Sequence, residues 1–256
     1  MRVVFHEAFH ESGYSGDLCD NAADPGRLTG MMHALREDGH YAVEVPAPAT
    51  RTDLLRGHSD AYVASVEQRP GLFAMASLAA GGAIMAAELA MGGEPAFACV
   101  RPPGHHASRA SAWGHCTFSN VALALLRLRD LGLIHSAFVA DIDLHTGDGT
   151  LDVLHGWPEA HVFNAYGDNA ADYLRVLDER LREAPQVDLL AVSVGFDTYI
   201  HDLGQLLTTD DYFTIGRLLQ GYAIRLRHQR RFAVLEGGYY LPDLGKNALA
   251  FCGGFE

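Results

Sequence analysis

Cysteine is scarce in this chain of 256 residues: Cys19, Cys99, Cys116 and Cys252 are the only four, and no two form a CxxC pair. A disulfide-stapled secreted fold is therefore disfavoured, and reduced thiols in a cytoplasmic protein are expected. Basic residues are in short supply as well. Nineteen Lys and Arg against 32 Asp and Glu leave a formal charge of −13, which argues against nucleic acid as the main partner and suits a cationic small molecule better. The chain lacks any Pro/Ser-rich linker, charge block, internal repeat or low-complexity tract, so one domain spanning residues 1–256 is expected. No signal-peptide core is present, because MRVVFHEAF is broken by charged and polar residues and reads as a first strand. The one long apolar run, 72–92, carries Glu88, is rich in Ala and Gly and has no basic flanks. It reads as a buried helix rather than a membrane span.

What is present is an alternation. Short β-type runs at 3–5, 41–45, 96–100, 137–140, 161–163, 189–194 and 232–235 are separated by helical stretches at 26–38, 51–65, 72–91, 119–131, 171–183, 210–227 and 245–251. Such alternation predicts an α/β fold, an open and mostly parallel sheet with helices on both faces. Ligands of these sheets sit beyond the carboxyl ends of the strands, so polar clusters there carry the functional signal.

Four clusters meet that condition. In AFVADIDLHTGDGT, 137–150, an apolar run breaks into Asp141, Asp143 and His145 at alternate positions. If the strand continues, all three side chains share one face and outline a metal site, though an acidic turn after a buried strand fits the same letters. In VRPPGHHASRASAWGHCTFSN, 100–120, two prolines and Gly104 stiffen a strand exit that presents His105 and His106 side by side, as an acid/base pair requires. In SVGFDTYIHD, 193–202, Asp197 stands just past a strand end, as a metal ligand or as a turn aspartate. In LEGGYYLPD, 235–243, a glycine pair permits a sharp turn from which Tyr239 or Tyr240 projects.

Together and in this order, RPPGHHA, DIDLHTGDGT, GFDTY and LEGGYY resemble the histone deacetylase and acetylpolyamine amidohydrolase family, whose fold is shared with arginase. The wording of GFDTYIHDLGQLLTTDDYFTIGR and EGGYYLPDLGKN is more similar to the acetylpolyamine branch. The resemblance implies zinc held by Asp143, His145 and Asp197, a ligand set that leaves positions open for water and substrate. Iron(II) or cobalt suits the same donors. It implies His106 as general base and His105 as its partner, with Asp148 bonded to His106 and Asp141 to His105, and Tyr239 as oxyanion stabiliser. It further implies a potassium ion near Asp141, Asn164 and Ala165. The activity implied is hydrolysis of a small acetylated amine, with a protein acyl-lysine deacylase or a non-catalytic metal-containing binding module as alternatives.

Three departures from the family pattern stand out. Thr146 replaces a second histidine after His145; His115 follows Gly114 where a channel aromatic is usual; and only NAYGDNAAD separates Phe163 from Tyr173, where relatives carry a long loop. Gly114 and His115 are expected to line the substrate channel. The short loop leaves that channel shallower, or completed by another element such as Tyr166 or by a second subunit. Glu67 falls near an acidic gate position of the acetylpolyamine branch, while the second acid expected there is replaced by apolar residues around Phe73 and Ala74.

Overall fold

The computed structural model describes residues 1–11 and 26–256; Cys19 lies outside the described residues. Cys99, Cys116 and Cys252 are buried free thiols, as the cysteine pattern predicts.

The core is one parallel sheet of seven strands: β1 (Arg2–Val4), β2 (Ala42–Glu44), β3 (Ala96–Ala98), β4 (Ala137–Asp141), β5 (Ala160–Asn164), β6 (Leu189–Val194) and β7 (Arg231–Leu235). Their spatial order is β2-β1-β3-β7-β6-β4-β5. The four central strands β3, β4, β6 and β7 are wholly buried, so they read as continuous apolar runs rather than alternating ones. The four polar clusters follow these four strands. Because the strands are adjacent and parallel, their exits are adjacent too.

Nine α-helices occur among the described residues: α1 (Gly26–Asp38), α2 (Arg51–Gly57), α3 (Asp60–Glu67), α4 (Pro70–Met91), α5 (Asn120–Asp130), α6 (Asp148–Leu154), α7 (Ala170–Glu183), α8 (Thr209–Arg225) and α9 (Leu241–Phe255). Helix α4 starts with Pro70, which has no N–H to leave unpaired in a first turn. It is apolar all round and packs on β1, β3 and β7 with α5 beside it, while α9 packs between α1 and α8. Among the described residues α4 alone is long and apolar enough to cross a membrane, but 72% of its most apolar window is buried inside the protein. That burial matches the expected core helix.

Two helices differ from expectation. The single helix predicted over 51–65 is broken: His58 is extended (φ −114°, ψ 150°), and the Ser59 hydroxyl accepts the Tyr62 N–H to start α3. The cause is tertiary. The buried His58 imidazole bridges the Ser108 carbonyl (2.9 Å) and the Ser119 N–H (3.0 Å), and those two bonds hold the chain out of helical geometry. Helix α6 falls in a stretch outside the expected helices; its apolar Val153 and Leu154 are buried.

Candidate active site

Strand β4 ends at Asp141, so Asp143 and His145 do not continue one strand face as the alternation predicts. The chain leaves the sheet instead, and side chain–backbone bonds shape the exit. Asp141 Oδ1 accepts the Asp143 N–H (3.1 Å), and Asp143 Oδ1 accepts the His145 N–H (2.9 Å). These turns aim Asp143 and His145 at Asp197, which follows β6. The three offer donor atoms within 4.8 Å of one another. Gly237, at the exit of β7, closes the group: its N–H donates to Asp143 Oδ2 (2.9 Å), and a Cβ there would sit 2.7 Å from Asp143 Oδ2 and 2.8 Å from Asp197 Oδ2.

This donor set fits a dication. Asp197 Oδ2 is buried with no hydrogen-bond partner, although His145 Nδ1 is only 3.1 Å away; the distance is short but the direction is wrong for a hydrogen bond. Three donor atoms thus cluster at one point with one carboxylate oxygen left unpaired, an arrangement that suits a dication. The electrostatics agree. The Asp143 carboxylate, hydrogen-bonded to the imidazole (3.2 Å), and the Asp197 carboxylate beside it push His145 up to about 10, a measure of how strongly the pair of carboxylates demands positive charge. Burial would raise Asp143, yet the His105 and His145 imidazoles and the N–H groups of His145 and Gly237 pull it below the usual carboxylate range. Burial, with Asp143 beside it, pushes Asp197 up to about 6.

A second cluster, His105, Cys116 and Glu236, also lies within ligand distance; Glu236 Oε1 is buried without a hydrogen-bond partner, but burial pushes Glu236 up to about 7 and the other donors are largely engaged. Glu236 Oε2 accepts the N–H groups of Gly104 (2.6 Å) and His105 (3.1 Å), and His105 Nδ1 faces Asp141 Oδ2 (3.1 Å). Burial keeps the Cys116 thiol protonated, well above its ordinary range, so it is a poor ligand.

The two adjacent histidines have separate carboxylates. His105 is almost wholly buried between Asp141 and Asp143; burial alone would depress its pKa, but the two carboxylates outweigh that and raise it well above the ordinary value. His106 behaves oppositely. Burial and then the neighbouring His105 lower it, against the pull of Asp148. Asp148 Oδ1 lies 2.7 Å from His106 Nδ1; a carboxylate can only accept, so the proton is on Nδ1 and Nε2 keeps its lone pair.

His105, His106, Asp143 and His145 line a cavity of about 170 Å³ together with Gly114, His115 and Tyr239. Burial raises the Tyr239 hydroxyl above its ordinary range and holds its proton. Tyr240 instead is partly exposed against Tyr199 and His201. Gly114 and His115 line this cavity. Glu67 does not: it ends α3, where Arg51 Nε holds its carboxylate at 3.0 Å, and it is not among the residues lining the cavity. Tyr166 is 66% exposed and borders a different cavity, with Ala165, Gly167 and Tyr173, so it does not replace the missing wall. Asn164 and Ala165 do lie against Asp141: Asn164 pairs with it across the sheet, and the Ala165 N–H donates to its carbonyl (2.8 Å).

Several site residues escaped the sequence reading. Buried Arg27 of α1 donates to the carbonyls of Glu236 (2.8 Å) and Gly238 (2.7 Å) and lies 5.2 Å from the Tyr239 ring centre. Asp202 Oδ2 accepts the N–H groups of Tyr239 (2.6 Å) and Tyr240 (2.7 Å) from the other side. The tyrosine loop is clamped between them. Trp113 and Leu203 complete the cavity rim. Nothing in sequence distance signals Arg27 or Asp202; a tryptophan amid the small residues of SRASAWGHC was the only visible cue.

The histone deacetylase domain matches residues 21–174. A probable deacetylase of Archaeoglobus fulgidus is 29% identical over 99% of this chain and 86% of its own. The acetylpolyamine amidohydrolase of Mycoplana ramosa is 29% identical over 93% of this chain and 79% of its own. In structure, the acetylpolyamine aminohydrolase of Burkholderia pseudomallei superposes with a TM-score of 0.85 at 23% identity, covering 100% of this chain and 98% of that one. It shares the α/β fold.

Proposed function

The chain belongs to the histone deacetylase family, and we propose that it is a zinc-dependent deacetylase that hydrolyses the amide of a small acetylated amine of the acetylpolyamine kind. The observation that carries this reading is the meeting, at one cavity, of the Asp143–His145–Asp197 donor set, the His106–Asp148 pair and a protonated Tyr239. A pure binding module has no use for both a base and an oxyanion donor. Asp143, His145 and Asp197 would hold the zinc, which when bound would supply Lewis acidity at the acyl carbonyl and acidify a water. His106 takes the water's proton at Nε2, while Asp148 fixes the tautomer and stabilises the imidazolium that forms. The Tyr239 hydroxyl donates to the carbonyl oxygen as it gains negative charge. His105, whose proton Asp141 and Asp143 hold, returns a proton to the departing amine. The products are acetate and a free amine.

The names of the relatives and the net charge of −13 favour a small cationic substrate. Metal-loaded protein is expected to release acetate from N-acetylputrescine faster than from an acetyl-lysine peptide, and Asp143→Ala to abolish both. Faster peptide turnover would move the assignment to a protein deacylase; no release from either would end the catalytic reading. Two carboxylates and an imidazole accept iron(II) and cobalt(II) too, so elemental analysis of protein purified without added metal identifies the occupant.

A further inference from the structure

Trp113 has an unusual pair of attachments for an exposed residue. Its indole stacks on His106 with ring centres 3.6 Å apart and planes 31° apart, and its Nε1–H donates to Asp148 Oδ2 (2.8 Å). The other carboxylate oxygen of Asp148 serves His106. The indole is thus fixed at three points of contact by a stack, a hydrogen bond and the turn at Gly114, where φ is +60°. It is nevertheless 53% exposed and borders the cavity. A large π surface at a mouth, held rigid before any ligand arrives, loses little conformational entropy on binding.

The surroundings select what that surface would hold. The other rim groups are Leu203, 62% exposed, and His115, which no acidic partner charges; burial, with Arg27 nearby, keeps His115 below its ordinary pKa and hence neutral at pH 7. Among the described residues lining the cavity there is no lysine or arginine, while Asp148, half-exposed, sits directly against the indole. An aromatic face with a carboxylate at its edge and a neutral rim is a recognition element for an ammonium group.

We propose that Trp113 is a specificity-determining residue that binds the distal ammonium of the substrate's amine chain at the cavity mouth. This rests on the deacetylase reading and deepens it. The test compares N-acetyl-1,4-diaminobutane with N-pentylacetamide, which replaces the terminal ammonium by a methyl group, in the metal-loaded parent, Trp113→Phe and Trp113→Leu proteins. The quantity read is the ratio of kcat/KM for the charged over the neutral amide, so that any loss through Asp148 common to both cancels. Trp113→Leu should lower this ratio about three- to thirty-fold, the span of a cation–π contact between exposed and desolvated limits, chiefly through KM for the charged amide. Trp113→Phe, which keeps a π face, should recover most of it. An unchanged ratio in Trp113→Leu overturns the inference and leaves Trp113 as an apolar wall. A second readout does not depend on turnover: Trp113 and Trp157 are the only tryptophans, so Trp157→Phe leaves one reporter. Addition of 1,4-diaminobutane should change its emission saturably, and 1-butanol should not. A silent or non-saturating indole refutes the ammonium site even if the enzyme is active, whereas saturable binding without acetate release refutes the deacetylase reading alone.

Discussion

Gly237→Ala strikes the proposed metal centre without removing a ligand. The added methyl would lie 2.7 Å from Asp143 Oδ2 and 2.8 Å from Asp197 Oδ2, where ordinary contact begins at 3.4 Å. Each carboxylate must therefore retreat by about 0.6–0.7 Å, several times the ~0.2 Å tolerance of a metal–ligand distance. Gly237 is not in the left-handed region, so alanine brings no backbone strain of its own and the effect is confined to the contact. Zinc affinity, measured by competition with a chromophoric chelator, should fall about 10- to 100-fold, in line with other perturbations of groups that orient ligands. Gly221→Ala is the matched control: it lies in α8 with nothing within 4 Å of the new methyl, and should leave zinc binding unchanged while stabilising the helix by about 0.5–1 kcal/mol. If Gly237→Ala folds normally and binds zinc as the parent does, Asp143 and Asp197 are not ligands of one ion.

Three further outcomes follow from the same geometry. Tyr239→Phe removes the hydroxyl proposed to stabilise the oxyanion and should lower kcat about 10²- to 10³-fold with little change in KM, read by steady-state acetate release. His106→Ala should lower kcat about 10²- to 10⁴-fold, and in the parent the acid limb of kcat/KM should lie below the ordinary imidazole value, because burial and His105 depress His106. His58 offers a stability test: burial lowers it from 6.5 to about 4, so the unfolded chain takes up a proton near 6.5 that the folded chain refuses until about 4. Stability is full above pH 6.5 and should decline by roughly 3 kcal/mol as pH falls to 4; denaturant titrations of His58→Gln should show a flatter slope across that window.

The sheet was legible because its central strands are buried on both faces and appear as bare apolar runs ending in polar clusters. The candidate metal and acid/base residues were legible for the same reason: each cluster sits within a few residues of such an end. What sequence could not supply was direction. The alternation of Asp141, Asp143 and His145 suggested one strand face, whereas the strand stops at Asp141 and hydrogen bonds from its own carboxylates turn the chain. Glu67 looked like a gate because position along the chain resembles position in space only loosely, and Arg51 claims it. Arg27 and Asp202 were invisible because they act on backbone groups more than 35 residues away. The break at His58 was hidden because two tertiary hydrogen bonds overrode local helix preference.

The central claim, a hydrolase whose chemistry depends on one metal ion held by Asp143, His145 and Asp197, is tested most directly by titrating metal-stripped protein with zinc while following acetate release from N-acetylputrescine. The account predicts no release at the start, a linear rise to about one zinc per chain as a three-ligand catalytic site requires, and no rise for Asp143→Ala. Release that is unchanged by stripping the metal, or a Asp143→Ala protein that titrates like the parent, would contradict it.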